Sequence, residues 1–406
     1  MPKKLYEDVR IQGHLIDSLL VPRIMDDIMD LEGEYEILSF EVGRTKTDIS
    51  TAVLRVFGRD QAHLEGILEA IQEHGAVSVE PHDAELAEAP ADGVFTAEFY
   101  STTNLETYVR LGGQWVRVER PEMDCGIKVD PESRTAETVA MSDVRRGDRL
   151  VVGRHGLRVV PLERPRESQP FEFMGSAVSS EKPKAQIVRE VARLLRRVKE
   201  SESKVIAVVG PAVVHTGAHG HLARLVELGY VDVLFGGNAV ATHDIEAALF
   251  GTSLGVSLTE GTLAPGGHEH HLRAINTVRR CGGIRQAIEQ GVLTSGLMHT
   301  LVTTGTPFVL AGSIRDDGPL PEVISDVMEA QRVMRPFCQD AGACLMLSSM
   351  LHSIATGNLL PASVRTVCVD INPAVVTKLA DRGSFQTIGI VTDVGLFLQQ
   401  LVNELA

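Results

Sequence analysis

The sequence predicts an α/β chain whose C-terminal part is a doubly wound, mostly parallel sheet. Three observations predict it. Short, almost wholly apolar runs recur beyond residue 200: KVIAVVG (204–210), VDVLFGG (231–237), TPFVLAG (306–312), ACLMLS (343–348), RTVCVD (365–370) and TIGIVTD (387–393). A strand reads this way when both of its faces are buried. Segments of helical spacing accompany them, such as AQIVREVARLLRRVKES (185–201) and HGHLARLVELGY (219–230). That alternation implies right-handed crossovers and helices on both faces of one sheet. Finally, each run ends on small, polar or acidic residues, at the edge where open α/β sheets bind ligands.

The N-terminal part reads differently. EDVRIQGHLI (7–16) alternates as a strand, and Leu20, Ile24, Ile28 and Leu31 share one helix face. EYEILSFEVG (34–43) and DISTAVLRVFG (48–58) alternate again across the hairpin-like RTKT. Residues 60–74 are amphipathic through Leu64, Ile67, Leu68 and Ile71, and AVSVE (76–80) closes the unit as a strand. The order β-α-β-β-α-β is that of a ferredoxin-like module, and assigns no function by itself. PHDAELAEAPADGV (81–94) reads as a linker from its Ala, Asp, Glu and Pro content. GQWVRVER (113–120), RTAETVAMSDV (134–144), DRLVVG (148–153) and LRVVPLE (157–163) are short alternations between Gly and charged turns, which suggests a small β-rich domain. Residues 164–183 read as another connection. The expected domains are therefore 1–82, ferredoxin-like; 95–165, β-rich; and 180–406, a Rossmann-like sheet.

Composition limits the function classes. With 406 residues, 44% hydrophobic and 23% charged, the chain can bury two or three cores. Aromatics are only 4%, so those cores must be aliphatic. A net charge of −15 argues against a nucleic-acid partner, which wants a basic face. Five cysteines without a CxxC pair fit a reducing cytoplasm better than a disulfide framework. No signal-peptide pattern and no run of about 18 apolar residues occurs, so no membrane partner is expected.

The strand ends carry the candidate site. Gly236 and Gly237 allow close backbone approach, and Asn238 offers an amide. Ser349, Met350, Leu351 and His352 read as a helix start whose free N–H groups can hold a pyrophosphate. Asp370, after RTVCV, fits the acid that accepts ribose hydroxyls and disfavours a 2′-phosphate, so NAD is expected over NADP. Asp393 ends another strand. No GxGxxG fingerprint follows a strand; Gly210, Gly217 and Gly220 have the wrong spacing. GGHEHH (266–271) reads as a substrate-facing or surface loop rather than a metal site, because neighbours in one loop rarely supply a full ligand shell. His215, His219 and His221 are treated with the same caution, and Cys125 reads as inert. No metal is expected.

Long strings in this half carry a resemblance: GGNAVATHDIE (236–246), GTSLGV (251–256), GGHEHHLRAIN (266–276), LAGSIRDDGPLPE (310–322), LHSIATGNLLP (351–361), VCVDINPAVVTKLADRGS (367–384) and VTDVG (391–395). They resemble the archaeal-type ornithine cyclodeaminases, also found as the C-terminal part of cyanobacterial arginine dihydrolase/ornithine cyclodeaminase fusions. The N-terminal unit resembles the conserved region of bifunctional lysine-ketoglutarate reductase/saccharopine dehydrogenase. The resemblance implies NAD contacts at Asn238, Ala239, Asp317, Ser349, Met350, Leu351, His352, Asp370, Asp393 and Val394. It departs at Ser348-Ser349, where an Ala-Thr-like pair is expected. Arginine hydrolysis is not implied.

What the resemblance implies chemically is L-ornithine to L-proline plus ammonia. The substrate is oxidised at Cα, the δ-amine closes the ring as ammonia leaves, and the cyclic imine is reduced, so NAD is recycled. A base must keep the attacking amine neutral, and a cation should hold the carboxylate. Arg315 and Arg273 are candidates for the cation, Asp316 for the base, and Lys378 is a weaker catalytic candidate. Two other readings stay open: a saccharopine-type amino-acid dehydrogenase, and an NAD-dependent amino-acid sensor. Lysine is a substrate alternative one methylene longer than ornithine. A homo-oligomer, dimer or tetramer, is expected.

Overall fold

The structure is a computed structural model that describes residues 5–13, 15, 20–43, 48–72, 74–161, 184–264, 267–316, 318–382 and 387–406. It divides into two compact units, Met1–Gly175 and Ser176–Ala406.

The first unit begins with β1 (Leu5–Gly13), α1 (Leu20–Asp30), β2 (Glu34–Glu41), β3 (Ser50–Gly58), α2 (Gln61–Gln72) and β4 (Val77–Ser78). The sheet order is β2-β3-β1-β4, with antiparallel pairing throughout, which is the ferredoxin-like arrangement. Its core joins Val9 and Ile11 of β1, Leu54 and Val56 of β3, Ile24 and Ile28 of α1, and Ile67 and Ile71 of α2. These are the periodic positions that predict the elements. β2 departs from the pattern: Ile37, Leu38 and Phe40 are all exposed on this edge strand. The RTKT connection lies outside the described residues.

Seven strands follow: β5 (Glu85–Glu88), β6 (Glu106–Leu111), β7 (Gln114–Glu119), β8 (Gly126–Asp130), β9 (Thr135–Val139), β10 (Arg149–Val152) and β11 (Leu157–Val160). They form one sheet in the order β11-β6-β7-β9-β8-β10-β5. This corrects the reading of 81–94 as a linker, because β5 lies inside it and pairs with β10 through Leu86 and Val151. Two of its four residues are acidic, so its pattern is too short to read without the partner strand. The two N-terminal modules also share one unit. Gln72, the last residue of α2, donates from Nε2 to the carbonyls of Arg154 and Leu157. The connection 164–183 lies outside the described residues.

The second unit contains α3 (Lys184–Glu200), β12 (Lys204–Val209), α4 (Ala212–His215), α5 (His219–Glu227), β13 (Val233–Gly237), α6 (Asn238–Phe250), β14 (Thr252–Ser253), β15 (Val256–Ser257), α7 (His270–Cys281), α8 (Ile284–Glu289), α9 (Leu297–Thr304), β16 (Phe308–Ala311) and β17 (Val323–Ile324). It ends with α10 (Val327–Gln339), β18 (Ala341–Leu347), α11 (Leu351–Leu359), β19 (Arg365–Asp370), α12 (Pro373–Arg382), β20 (Ile388–Val391) and α13 (Val394–Leu405). The sheet is wholly parallel, in the order β17-β16-β13-β12-β18-β19-β20. Each central strand buries both faces. In β12, Val205, Ala207 and Val209 join the core under α3, α5, α6 and α13, whereas Ile206 and Val208 join the core under α10, α11 and α12. That two-sided burial is why the strand reads as an unbroken apolar run. Among the described residues no helix is long and apolar enough to cross a membrane.

Candidate active site

The strand order sets where the site lies. From β12 the chain runs outward to β13 and β16; from β18 it runs the other way, to β19 and β20. In open α/β sheets ligands bind where the winding reverses, which here is between the carboxyl ends of β12 and β18. The backbone there is unusually close. Ser348 follows β18 in the left-handed region, φ 48°, and a Cβ on Gly210 would overlap its carbonyl oxygen. Gly210 also donates its N–H to the Leu347 carbonyl at 2.9 Å. Its role is to let two strand ends approach, which explains a glycine here without a fingerprint.

Around this point the structure gathers several strand-end residues. Asn238 opens α6 and is buried; its Oδ1 accepts from Leu320 N at 3.0 Å and from Thr242 Oγ1 at 3.3 Å. It thereby ties the loop after β16 to the end of β13. His352, in the first turn of α11, lies against Gly237: a Cβ on Gly237 would fall 2.8 Å from His352 Cε1. Burial pulls the His352 pKa below its ordinary value, and the Asp316 charge opposes that shift. Asp316 accepts from Ser313 N at 2.8 Å and from Ser313 Oγ at 3.3 Å, closing the turn that exposes Ile314 and Arg315. On the other side, Asp370 ends β19 half-buried, with Oδ1 accepting from Asn372 N at 2.8 Å. Asp393 caps α13, accepting from Leu396 N at 2.9 Å, and Val394 is buried behind it.

A second group lies beyond β12 and β13, built from α4, α6, β14 and α7. Glu246 is fully buried and accepts from four donors: His243 Nδ1 at 2.7 Å, Thr252 Oγ1 at 2.9 Å, Gly255 N at 3.0 Å and Leu254 N at 3.3 Å. Burial works to raise its pKa, but the hydrogen bonds from His243, Gly255 and Thr252 outweigh it and hold the carboxyl below its ordinary value. The His243 ring meets His215 edge-on, with centroids 4.8 Å apart. His215 Nδ1 is 2.7 Å from Ser253 Oγ, and Thr252 Oγ1 is 2.8 Å from His270 Nδ1. Burial lowers the His215 pKa, the neighbouring His243 lowers it further, and Glu246 partly offsets both. Among the described residues no group of three or more His, Cys, Asp or Glu side chains is arranged to hold a metal ion.

Comparison with known proteins places this architecture. Three family models match consecutive stretches: the LOR/SDH bifunctional enzyme conserved region over 6–105, the arginine dihydrolase ArgZ-like C-terminal first region over 106–188, and the ArgZ-like C-terminal Rossmann fold over 189–401. The chain belongs to the ArgZ-like C-terminal family. It is 53% identical over 399 residues to the ornithine cyclodeaminase of Methanothermobacter thermautotrophicus, covering 98% of this chain and 97% of that protein. It is also similar to the crystal structure of apo ArgZ, a cyanobacterial arginine dihydrolase, with TM-score 0.85 and 39% identity, covering 99% of this chain. The chain spans 58% of that ArgZ chain. A further likeness is to AgrE in a ternary complex with ornithine and NAD⁺, at 43% identity and TM-score 0.54, covering 99% of this chain and 57% of that one.

For this ArgZ-like chain, the candidate residues fall into three sets, two of them predicted from the sequence. Asn238, exposed Ala239, Ser349, His352 and Asp316 lie at or just beyond the ends of β13, β18 and β16. Met350 and Leu351 are exposed beside them, and Asp370, Asp393 and Val394 lie at the β19 and β20 ends. The second set is not brought together. Lys378 is exposed on α12, the helix after β19, while Asp316 follows β16, four strand spacings or about 19 Å across the sheet. Arg273 is exposed on α7 and forms an ion pair with Glu269 one turn earlier. Asp317 lies outside the described residues. The third set is the one sequence reasoning passed over: His243, Glu246, Thr252 and Ser253. All four lie in the strings 236–246 and 251–256 that carry the family resemblance, and His243 and Glu246 stand three apart on α6.

Proposed function

We propose that this chain converts L-ornithine to L-proline and ammonia, with NAD⁺ as a recycled cofactor. The observation that carries this reading is likeness from end to end, at 53% identity over 98% of the chain, to a protein named for that activity. The AgrE complex with ornithine and NAD⁺ supports the choice of ligands.

The strand ends fit the cofactor. Gly210 and Gly237 let Ser348 and His352 pack against the ends of β12 and β13, which sets the start of α11 beside the reversal point. Asp370 would hold the adenine-side ribose, with Oδ1 already oriented by Asn372 N. The start of α11, Ser349 to His352, would hold the pyrophosphate on its free N–H groups. Asn238, Ala239 and the 313–316 turn would then face the nicotinamide end, because β13 lies three strand spacings, about 14 Å, from β19. When bound, NAD⁺ supplies a two-electron acceptor that oxidises the amino acid at Cα and later gives the electrons back to the cyclic imine.

The chain's own residues bind, orient and exclude water. Arg315, exposed at the tip of the turn that Asp316 closes, would pair with the substrate carboxylate. Asp316 would face an ammonium group from the same turn. Apolar Ile314, Met350, Leu351 and Ile371 stand exposed along the carboxyl edge and would be covered by ligand or by closure. We place the protein in the cytoplasm as a homo-oligomer, in keeping with its composition and module type. The test is ammonia and proline release from L-ornithine with catalytic NAD⁺, while absorbance at 340 nm is followed. Proline and ammonia without net NADH support the reading. Stoichiometric NADH would instead mark a saccharopine-type dehydrogenase, and NAD binding without either product a sensor.

A further inference from the structure

The reaction proposed above needs a group that takes a proton from an ammonium and later gives one to the departing amine. Asp316 is poorly placed for it, since both of its oxygens accept from Ser313. The buried network behind β12 and β13 has the required parts. Its members run from fully buried to half-exposed: Glu246, then His243, then His215. His215 stands six residues beyond β12, the central strand of the sheet, on the side of the reversal point where the nicotinamide end would lie.

We infer that His215 is the proton carrier of this reaction, and that Glu246 is a positioning residue that holds it from two sides. The inference rests on the proposed function for its substrate. One hold runs through the backbone: Glu246 accepts from Thr252 Oγ1, Leu254 N and Gly255 N, which fixes the 252–255 turn, and Ser253 of that turn meets His215 Nδ1 at 2.7 Å. The other runs through His243, whose Nδ1 meets Glu246 Oε2 at 2.7 Å and whose ring packs edge-on against His215. With Nδ1 taken up by Ser253, His215 presents Nε2. Its nitrogen lone pair accepts a proton as an ammonium N–H bond of the substrate breaks. The imidazolium so formed returns that proton to the nitrogen that leaves as ammonia, and His215 is neutral again. The titratable groups that act on it are His243 and Glu246 on α6; on the elements packed about them, His271 of α7 faces the His243 ring, His270 meets Thr252, and Asp393 at the start of α13 and Thr216 both lie close to Gly395. The lowered pKa of His215 leaves it neutral at physiological pH, the state a proton acceptor needs.

The test uses the full chain. His215→Asn keeps a side-chain amide for Ser253 but removes the base. Turnover should fall by about 100-fold or more, with NAD⁺ affinity by calorimetry within about twofold, and added imidazole should restore part of the rate. A merely structural histidine would not be rescued this way. Glu246→Gln should lower kcat more than it raises KM and displace the acidic limb of the pH–rate profile. Independently of turnover, ¹⁵N-histidine NMR of the unliganded protein should show the His215 signal titrating below 6.5 and lower still in Glu246→Gln, where the favourable charge is gone. His215→Asn turnover within threefold of wild type, or a low rate that imidazole does not raise, overturns the proton-carrier role. A His215 titration indifferent to Glu246→Gln overturns the two-sided hold. If wild-type protein makes no proline, the proposed substrate is wrong and His215 is not the proton carrier of that reaction; the NMR arms still decide the hold.

Discussion

The two halves of the carboxyl edge in the C-terminal sheet handle their acids in opposite ways. At the β19–β20 end, Asp370 and Asp393 each accept one backbone N–H from the next turn and stay partly or fully exposed. At the β12–β13 end, Glu246 has no exposed surface and accepts from four donors across α6 and the following turn. The first pair is pre-oriented yet open, which suits a cofactor arriving from solvent. The second arrangement loses hydration and regains it as hydrogen bonds, which is worthwhile where an ionised group must hold other side chains still. Asp244, two residues before Glu246, is a useful contrast. It is also fully buried, but it caps α9 with only Leu297 N and Met298 N, and burial raises its pKa. Burial opposes ionisation in both; at Glu246 the hydrogen bonds from His243, Gly255 and Thr252 outweigh it, and at Asp244 the two backbone donors do not.

Substitutions at each half can break or sharpen this contrast. The largest effect is expected for Glu246→Ala, which leaves His243 and three further donors without their acceptor. Unfolding in urea should register a loss of about 3–5 kcal/mol. The pH dependence has a definite sign. The folded carboxyl lies below its reference value of 4.5, so its stabilisation is present above pH 4.5 and is lost as pH falls through the lower folded value. Glu246→Gln should therefore lose most relative to wild type near neutrality and converge on it in acid. A gap that widens in acid would refute the assignment of Glu246 as an ionised acceptor.

At the open end the effect should be smaller and confined to binding. Asp370→Ala should weaken NAD⁺ by about 1.5–3 kcal/mol, roughly 10–100-fold in Kd, and relax discrimination against NADP⁺. Stability should change little, since Asp370 makes one local turn contact. An unchanged Kd by calorimetry would remove Asp370 from the cofactor site. The smallest effect is expected for Lys378→Ala. This side chain is exposed on α12, remote from the 313–316 turn, so stability should stay within about 0.5 kcal/mol and turnover within twofold. A tenfold loss of kcat would restore it as a catalytic candidate.

The same contrast explains what was readable from the chain. Asp370 and Asp393 each follow a run buried on both faces, so an apolar string ending in an acid marks both the strand and its end. The ferredoxin-like order was likewise legible, because Val9, Ile11, Ile24, Ile28, Ile67 and Ile71 keep strict periods. Glu246 and His243 were not. Their burial depends on α7 and on the 252–255 turn, long-range packing that leaves no local period, and a polar H-x-x-E on a helix looks like a solvated face. β5 was hidden for a related reason: four residues, half of them acidic, become a strand only beside β10. Gly210 was judged by phosphate-loop spacing, whereas the structure uses it for the approach of Ser348.

The most direct test of the account is the fate of the α-hydrogen. L-ornithine deuterated at Cα, given to the protein with substoichiometric NAD⁺, should yield L-proline that keeps nearly all the deuterium at its α-carbon, with ammonia released one to one. That result means one bound cofactor serves both the oxidation and the reduction. Proline that has lost the label to a free NADH pool, or a keto acid accumulating with NADH, would contradict it.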